Sequence, residues 1–595
     1  MRTNLELAVI GNCQVAGLID SLGRLVWGCL PRLDGDPVFC ALLDPSGGDA
    51  ERGVFAVDLL NAEASEQTYQ RNTAVVLTRL RDCAGNELQI TDFCPRFRRH
   101  GRIFRPMMFV RLIEPLHGRP RVRLRLVPAE RYGFQPARMA TGSNHLRFDA
   151  DTPYRATTDA PMTAIVDQRP FVLDAPLAVI LGPDETLTES PLGFARNLLH
   201  RTTEYWQGWV RTLAVPVDWT QAVIRAAITL KLCTYEDTGA VVAALTTSIP
   251  EAPDTERNWD YRYCWLRDSF FVVRALNRLG ATRTMEGYLR YISNLAELSP
   301  AQLLQPVYAI SGDAHLEEQE ATSLAGYRGM GPVRIGNHAF SQRQHDVYGS
   351  IILAATQLFF DERLVAPGDI AVFQRLESFG EQATRLYDQP DAGPWELRGS
   401  EATHTLSAVM CWCACDRLAR IAQRLRLGDS AARWIGHATT LRQRILSSAW
   451  NESRGAFVSH FSGTAVDASA LLLPQLGFVS PSDPRFLSTL KMIETELRVG
   501  DLLFRYRVPD DFGPPKNAFT TCSFWYVNAL AAVGRRDEAR VIFEQLLARR
   551  NSLGLLSEHI DPQSGEQWGN YPQTYSMVGI ISSAVRLSRP WEEVL

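Results

Sequence analysis

Two spacings of hydrophobic residues divide the chain. In roughly the first 190 residues apolar positions recur every second residue. In RPRVRLRLVP (119–128), Val122, Leu124 and Leu126 alternate with Arg121, Arg123 and Arg125, which predicts a strand with one face in a core and an arginine face in solvent. Residues 8–30 predict a hairpin, the apolar strands AVIGNCQVAGLI and RLVWGCL around the turn DSLG, and residues 74–93 predict another, AVVLTRLRD and ELQITDF around CAGN. Many short strands punctuated by Gly, Pro and Asp predict an antiparallel β-sandwich of about 180 residues.

From about residue 195 the spacing becomes 3.6. NLLHRTTEYWQGWVRTL predicts a linking helix, and VDWTQAVIRAAITLKLCTY a helix started by Asp218 as its cap. Further helices are predicted near 267–280, 284–297, 344–360, 369–388, 402–427, 429–449, 484–498, 520–533, 536–549 and 573–587, with a weaker one at 466–475. No fixed-length repeat accompanies them, so an even number of helices with unequal loops predicts a closed barrel of helix pairs rather than an open solenoid. The longer loops are where a site is expected.

Composition narrows the function. The chain has 595 residues, enough for several cores without staples or metals. Its 62 basic side chains, of which only Lys231, Lys491 and Lys516 are lysines, face 66 acidic ones, and a net charge of −4 disfavours nucleic acid as a partner. No run approaches the roughly 20 apolar residues that cross a membrane, and the N-terminus does not read as a signal peptide. The eleven cysteines are scattered. Cys411, Cys413 and Cys415 fall on a predicted helix at spacings that point them apart, so they read as small buried hydrophobes rather than a metal cluster. Reduced thiols predict a cytoplasmic protein. The histidines do not cluster at metal-ligand spacing, and HExxH, GxSxG and P-loop patterns are missing. The glycines of GYRGMGPVRIG follow no strand of a βαβ unit, so neither a metal nor a cofactor is expected. GPVRIGN is read instead as bringing Arg334 to a pocket rim.

Three loop segments gather aromatic, carboxylate and arginine side chains, each ahead of a helix. In 246–271, NWDYRYCWLRD sets Trp259, Tyr261, Tyr263 and Trp265 beside Asp260, Arg267 and Asp268. Flat aromatic faces match the apolar face of a sugar ring, and neighbouring Arg and Asp side chains match its hydroxyls. In DAGPWELRGSEATHT (391–405), Glu396 follows Trp395, and a carboxyl desolvated against that indole would stay protonated as a general acid. In 554–581, Glu558, Asp561 and Glu566 lie among Trp568, Tyr571 and Tyr575. Two carboxylates meeting in one pocket from distant loops are what glycoside hydrolysis requires. Taken singly, each of these residues reads equally as a salt bridge, a cap or a surface charge.

On these segments the sequence resembles glycoside hydrolase family 15, the inverting glucoamylase and trehalase-type enzymes. TTSIPE, RNWDYRYCWLRDS, GPVRIGN, QHDVYGSI, GPWELRG, CSFWYVNAL and SEHIDPQSGEQWGNYPQTYS fall in the family's order, and residues 8–44 are similar to the N-terminal domain of its bacterial members. The resemblance implies a sandwich over 1–190, a helical linker over 191–216 and an (α/α)6 barrel over 217–595. It implies Glu396 as general acid and Glu558 as general base, with Glu566 as the alternative base. It places Tyr261, Trp265, Arg267, Asp268, Trp395 and Arg505 at the sugar, with Arg507 competing for the place of Arg505. His559 stands where Glu or Gln is more usual, and Met577 replaces a histidine and is expected to alter the pocket.

The implied reaction is a single displacement, with the two carboxyl groups about 6.5–9.5 Å apart. The expected partner is a small carbohydrate. Exo-cleavage of α-1,4-linked malto-oligosaccharides is the leading expectation, then α,α-trehalose, with a sugar phosphorylase or a non-catalytic sugar binder as the remaining readings.

Overall fold

The computed structural model describes residues 3–298 and 303–593. Two antiparallel sheets occupy its first third. One runs in the spatial order Leu7–Gly11, Ala16–Asp20, Leu25–Leu30, Val54–Leu59, Arg121–Val127 and Phe171–Val172, with Asp36–Phe39 also on the third strand. The other runs Arg138–Thr141, His145–Asp149, Tyr154–Thr158, Leu177–Pro183, Phe109–His117, Glu87–Phe93, Val76–Asp82 and Ala62–Tyr69. Between them Ile10, Leu25, Phe55, Val57, Ile90, Phe109 and Leu124 form the sandwich core.

Two strand expectations change. The first hairpin is three strands, because Asn12 turns the chain: its side-chain oxygen accepts from the amides of Gln14 and Val15 at 3.1 Å each. The arginine stripe is not simply solvated. Arg123 and Arg125 both reach Asp58 on the neighbouring strand, and Arg125 is buried, also donating to the carbonyls of Gly48 and Ala50. The hairpin at 74–93 forms as expected, its turn closed by Asp82, whose carboxylate accepts from the amides of Ala84 and Asn86.

Helix α1 (Pro191–Val210) is capped by Ser190 and buries Ala195, Leu198, Thr202, Trp206 and Val210, one stripe at helical spacing. Eleven longer helices follow: α2 (Thr220–Leu232), α3 (Leu266–Arg278), α4 (Thr282–Leu298), α5 (Asp346–Phe360), α6 (Ile370–Leu386), α7 (Thr405–Arg424), α8 (Gly428–Ala449), α9 (Pro484–Leu497), α10 (Thr520–Ala532), α11 (Arg536–Ala548) and α12 (Thr574–Leu587). The weak segment becomes a short helical stretch, Ala468–Leu472 running into Leu473–Leu476. That stretch, α3, α5, α7, α10 and α12 make an inner ring, closed where α12 packs on α3, and the other six helices lie outside it. The fold is an N-terminal antiparallel sandwich followed by an (α/α)6 barrel. Cys411, Cys413 and Cys415 are all buried in α7. Asp218 does not cap α2. Its carboxylate is taken by Arg589 and Arg540, and Trp219, with a positive φ, occupies the cap position. No helix among the described residues is long and apolar enough to cross a membrane.

The sandwich and barrel share one core in which Leu7, Val9, Leu18 and Trp27 pack with Val223, Ala226, Ala227 and Leu230 of α2. The Trp27 indole donates to the Leu245 carbonyl at 2.7 Å. Deeper in the seam, Arg262 is fully buried, bidentate on Asp260 at 2.9 and 2.7 Å, and it crosses to the sandwich side through the Gly35 carbonyl and the Tyr132 hydroxyl. Arg262→Ala leaves Asp260 buried and unpaired, and a loss of about 3–5 kcal/mol in unfolding free energy is expected from denaturant titration. Arg123→Ala, which removes a half-exposed partner of Asp58, should cost less than about 1 kcal/mol in the same assay.

Candidate active site

The inner helices α3, α5, α7, α10 and α12 begin around one pocket at a single end of the barrel. Asp268 and Asp346 lie in the first turns of α3 and α5, where the amide dipoles favour negative charge. All eight residues expected at the sugar line this pocket: Tyr261, Trp265, Arg267, Asp268, Trp395, Glu396, Arg505 and Glu558.

The segment 259–265 runs beside 243–248 and bends at Tyr263, with the amides of Ala243, Ala244 and Ser248 donating to the carbonyls of Tyr263, Tyr261 and Trp259. On either side of that bend neighbouring side chains leave on opposite sides. Trp259, Tyr261 and Trp265 face the pocket, whereas Asp260, Arg262 and Cys264 are fully buried behind it. Tyr263 lies behind the pocket wall, its hydroxyl accepting from the Gly336 amide. Tyr261 and Trp265 meet edge to face with centroids 5.4 Å apart. The Tyr261 hydroxyl donates to Glu558 Oε1 at 2.7 Å, and the Trp265 indole donates to Glu396 Oε1 at 2.6 Å. The two carboxylates are thus held at opposite ends of one aromatic pair. Burial, followed by the charges of Glu558, Glu251 and Glu396, drives the Tyr261 phenol far above its ordinary range, so it stays a donor.

Glu396 sits at φ +59° in the turn after Gly393, a left-handed backbone that costs a non-glycine residue about 1–2 kcal/mol. Gly393 is required, because a Cβ there would lie 2.5 Å from the His404 ring. Gln342 ties the loop down by donating to the carbonyls of Glu396 and Leu397 at 3.2 Å each. The indole bound to Glu396 is Trp265, not its neighbour Trp395. Trp395 turns away to donate to Asp467 at 2.8 Å and packs among Tyr506, Phe519 and Trp525. Arg267 also reaches Glu396 Oε1 at 3.2 Å, from a fork otherwise engaged by Asp346 and Gln344. Both contacts fall on Oε1, and among the described residues Oε2 accepts no hydrogen bond.

Glu558 is buried, and its Oε2 has no hydrogen-bond partner. Gly569 closes over it, since a Cβ there would stand 2.7 Å from the Glu558 Cβ. Arg505 is buried and bidentate on Glu251 at 2.9 and 3.4 Å, whereas Arg507 is exposed and lies over Phe504. Burial would raise the Glu251 carboxyl, but Arg505, His559 and Arg257 outweigh it and hold it at about 2.

Other expectations fail on position. Glu566 pairs with Arg328 at 2.6 Å, Asp561 closes its own turn with Ser564, and neither lines the pocket. The Tyr571 hydroxyl donates to Leu7 in the sandwich, and Trp568 packs on Tyr327. Arg334 binds Glu318 behind Trp259. Met577 is fully buried in α12 and lines no part of the pocket. Glu251 of TTSIPE and Asp346 of QHDVYGSI carry much of the site's charge, yet a role for either was not evident from sequence, where Glu251 is one acid in a mixed loop and Asp346 falls at the start of a predicted helix. Among the described residues Glu251, Glu558 and His559 are the one trio whose ligand-type atoms lie within 4.8 Å of one another.

A family model, Glycosyl hydrolases family 15, matches residues 218–585. The chain belongs to that family. It is a glycoside hydrolase. A second model, Trehalase-like, N-terminal, matches residues 3–162. A trehalase of Mycobacterium tuberculosis is 33% identical over 99% of this chain and 90% of its own length, and one of Thermoplasma volcanium is 32% identical over 97% and 92%. Among solved structures, a bacterial glucoamylase complexed with acarbose superposes with a TM-score of 0.71 at 13% identity, covering 99% of this chain and 94% of that one, a likeness of fold.

In this hydrolase the Asp268 carboxyl is raised to about 7, chiefly by burial, with Arg267 opposing and Glu396, Asp346 and Glu558 adding to the rise. The folded state therefore retains a proton that the unfolded chain loses near pH 4, and stability must fall as pH rises from about 4 to 7. Asp391, also raised to about 7 by burial, acts in the same direction. Melting temperatures at pH 5 and 7.5 should differ less in Asp268→Asn than in the parent. An unchanged difference would show that Asp268 titrates normally.

Proposed function

We propose that this glycoside hydrolase is an inverting α,α-trehalase, with Glu396 as general acid and Glu558 as general base. The observation that carries the mechanism is the aromatic pair. Trp265 and Tyr261 each fix one oxygen of a carboxylate, and both carboxylates line one pocket. The preference for trehalose over malto-oligosaccharides reverses the sequence-based order. Relatives named trehalase match this chain over nearly its whole length, and its N-terminal domain fits a trehalase-like model.

In the proposed reaction Glu396 Oε2 gives its proton to the glycosidic oxygen as the bond from that oxygen to C1 of the bound glucose breaks. Glu558 takes a proton from a water whose oxygen bonds to C1 on the opposite face. The bound ring leaves as β-glucose and the other as α-glucose. Arg267, Asp268 and Arg505 are assigned to the hydroxyls of the bound ring, and Trp395 to the pocket wall. Arg505 is preferred to Arg507 because only Arg505 reaches the pocket. Eleven free thiols, all buried except Cys83, support a reducing, cytoplasmic setting.

Trehalose, maltose, isomaltose and maltotetraose tested side by side should give free glucose fastest from trehalose, with no glucose 1-phosphate when phosphate is added. Proton NMR should show α- and β-glucose appearing in equal initial amounts, and α-glucose alone would exclude inversion. Glu396→Gln and Glu558→Gln should each lower kcat by about 10²-fold or more with folding intact. Glu566→Gln should stay near the parent rate, and the reverse pattern would move the base to Glu566.

A further inference from the structure

His559 occupies a place that the proposed reaction leaves unexplained. It lies on the short strand His559–Ile560, between Ala518–Phe519 and Gln567–Trp568. Its ring is buried and stacked on Phe519, with centroids 4.8 Å apart and planes 16° from parallel. Nδ1 lies 3.4 Å from Glu558 Oε2, and Nε2 lies 3.7 Å from Glu251 Oε2. Neither ring nitrogen has an aligned hydrogen bond, so the imidazole stands between two carboxylates and meets them through charge. Gly569 permits this approach, because a Cβ there would come within 3.1 Å of Nδ1.

The charges around the ring do not balance without it. Glu251 holds Arg505 at 2.9 Å and Arg257 at 3.8 Å. Arg257 is bound more tightly by Asp510, which also lies 3.9 Å from Arg505. No guanidinium lies within ion-pair distance of Glu558, which Arg505 reaches only at longer range, and its other oxygen takes the neutral Tyr261 hydroxyl. On the far side of Tyr261, Arg267 is engaged with Asp346 and Glu396. Three carboxylates, Glu251, Glu558 and Asp510, therefore share two guanidinia, and every one of these side chains is at most 8% exposed. An unpaired charge at such depth is strongly unfavourable.

We propose that His559 is a positioning residue for the base, supplying the missing positive charge as a proton on its imidazole and so allowing Glu251 and Glu558 to be ionised side by side. This rests on the assignment of Glu558 as base. A glutamine at 559 could fill the same space but carries no charge, so His559→Gln separates charge from shape.

His559→Gln should move the acid limb of kcat/KM for trehalose to higher pH by about one unit and lower kcat about tenfold, with KM changed less than about twofold. Nitrogen-15 NMR of the imidazoles tests the same balance without that variant. Glu558→Gln removes one negative charge at constant shape, and one of the eleven histidines should change from imidazolium to neutral at pH 7. A folded His559→Gln with the parent's pH profile would overturn the proposal, as would a Glu558→Gln spectrum in which no histidine changes protonation state. Near-normal turnover by Glu558→Gln would instead remove the base assignment, and the positioning role with it.

Discussion

The run from Trp259 to Trp265 is the constraint on which the site depends. A strand sends neighbouring side chains to opposite sides, and here both sides are committed. Tyr261 and Trp265 hold the two pocket carboxylates, while Asp260 and Arg262 form a buried pair that ties the barrel to the sandwich. A shift of one residue would exchange the two sets, placing guanidinium and carboxylate in the aromatic wall and phenol and indole in the seam.

The electrostatics of the pocket follow from having so many acids in one buried place. Asp268 answers by holding its proton to about pH 7, Glu251 by taking guanidinium and remaining ionised. Two carboxyls of one pocket thus stand in opposite states, because burial outweighs Arg267 at Asp268 while Arg505, His559 and Arg257 outweigh burial at Glu251.

Much of this was legible in the sequence, for identifiable reasons. The change from period two to 3.6 separates sandwich from barrel because each element buries a continuous face, and most predicted helices end within three residues of the observed ones. The three loop segments were visible because aromatic and charged residues are concentrated there. What could not be read was partnership. Nothing local says that the indole on Glu396 comes from position 265 rather than 395, or that Glu251 meets Arg505 254 residues away. The diversion of Asp218 to Arg589 and Arg540 fails in the same way, its local capping propensity overruled by distant partners, whereas the break at Asn12 is a local turn inside an apolar run.

The crossing of Arg262 into the sandwich bears on how the two domains can diverge. Its acceptors Gly35 and Tyr132 are nearly a hundred residues apart in the sandwich sequence, yet they meet at the back of the strand that carries the pocket wall. An N-terminal domain exchanged for that of a relative would have to bring both acceptors in register, or leave a guanidinium unsatisfied directly behind Tyr261. The sandwich is therefore the outer half of the wall that shapes the pocket.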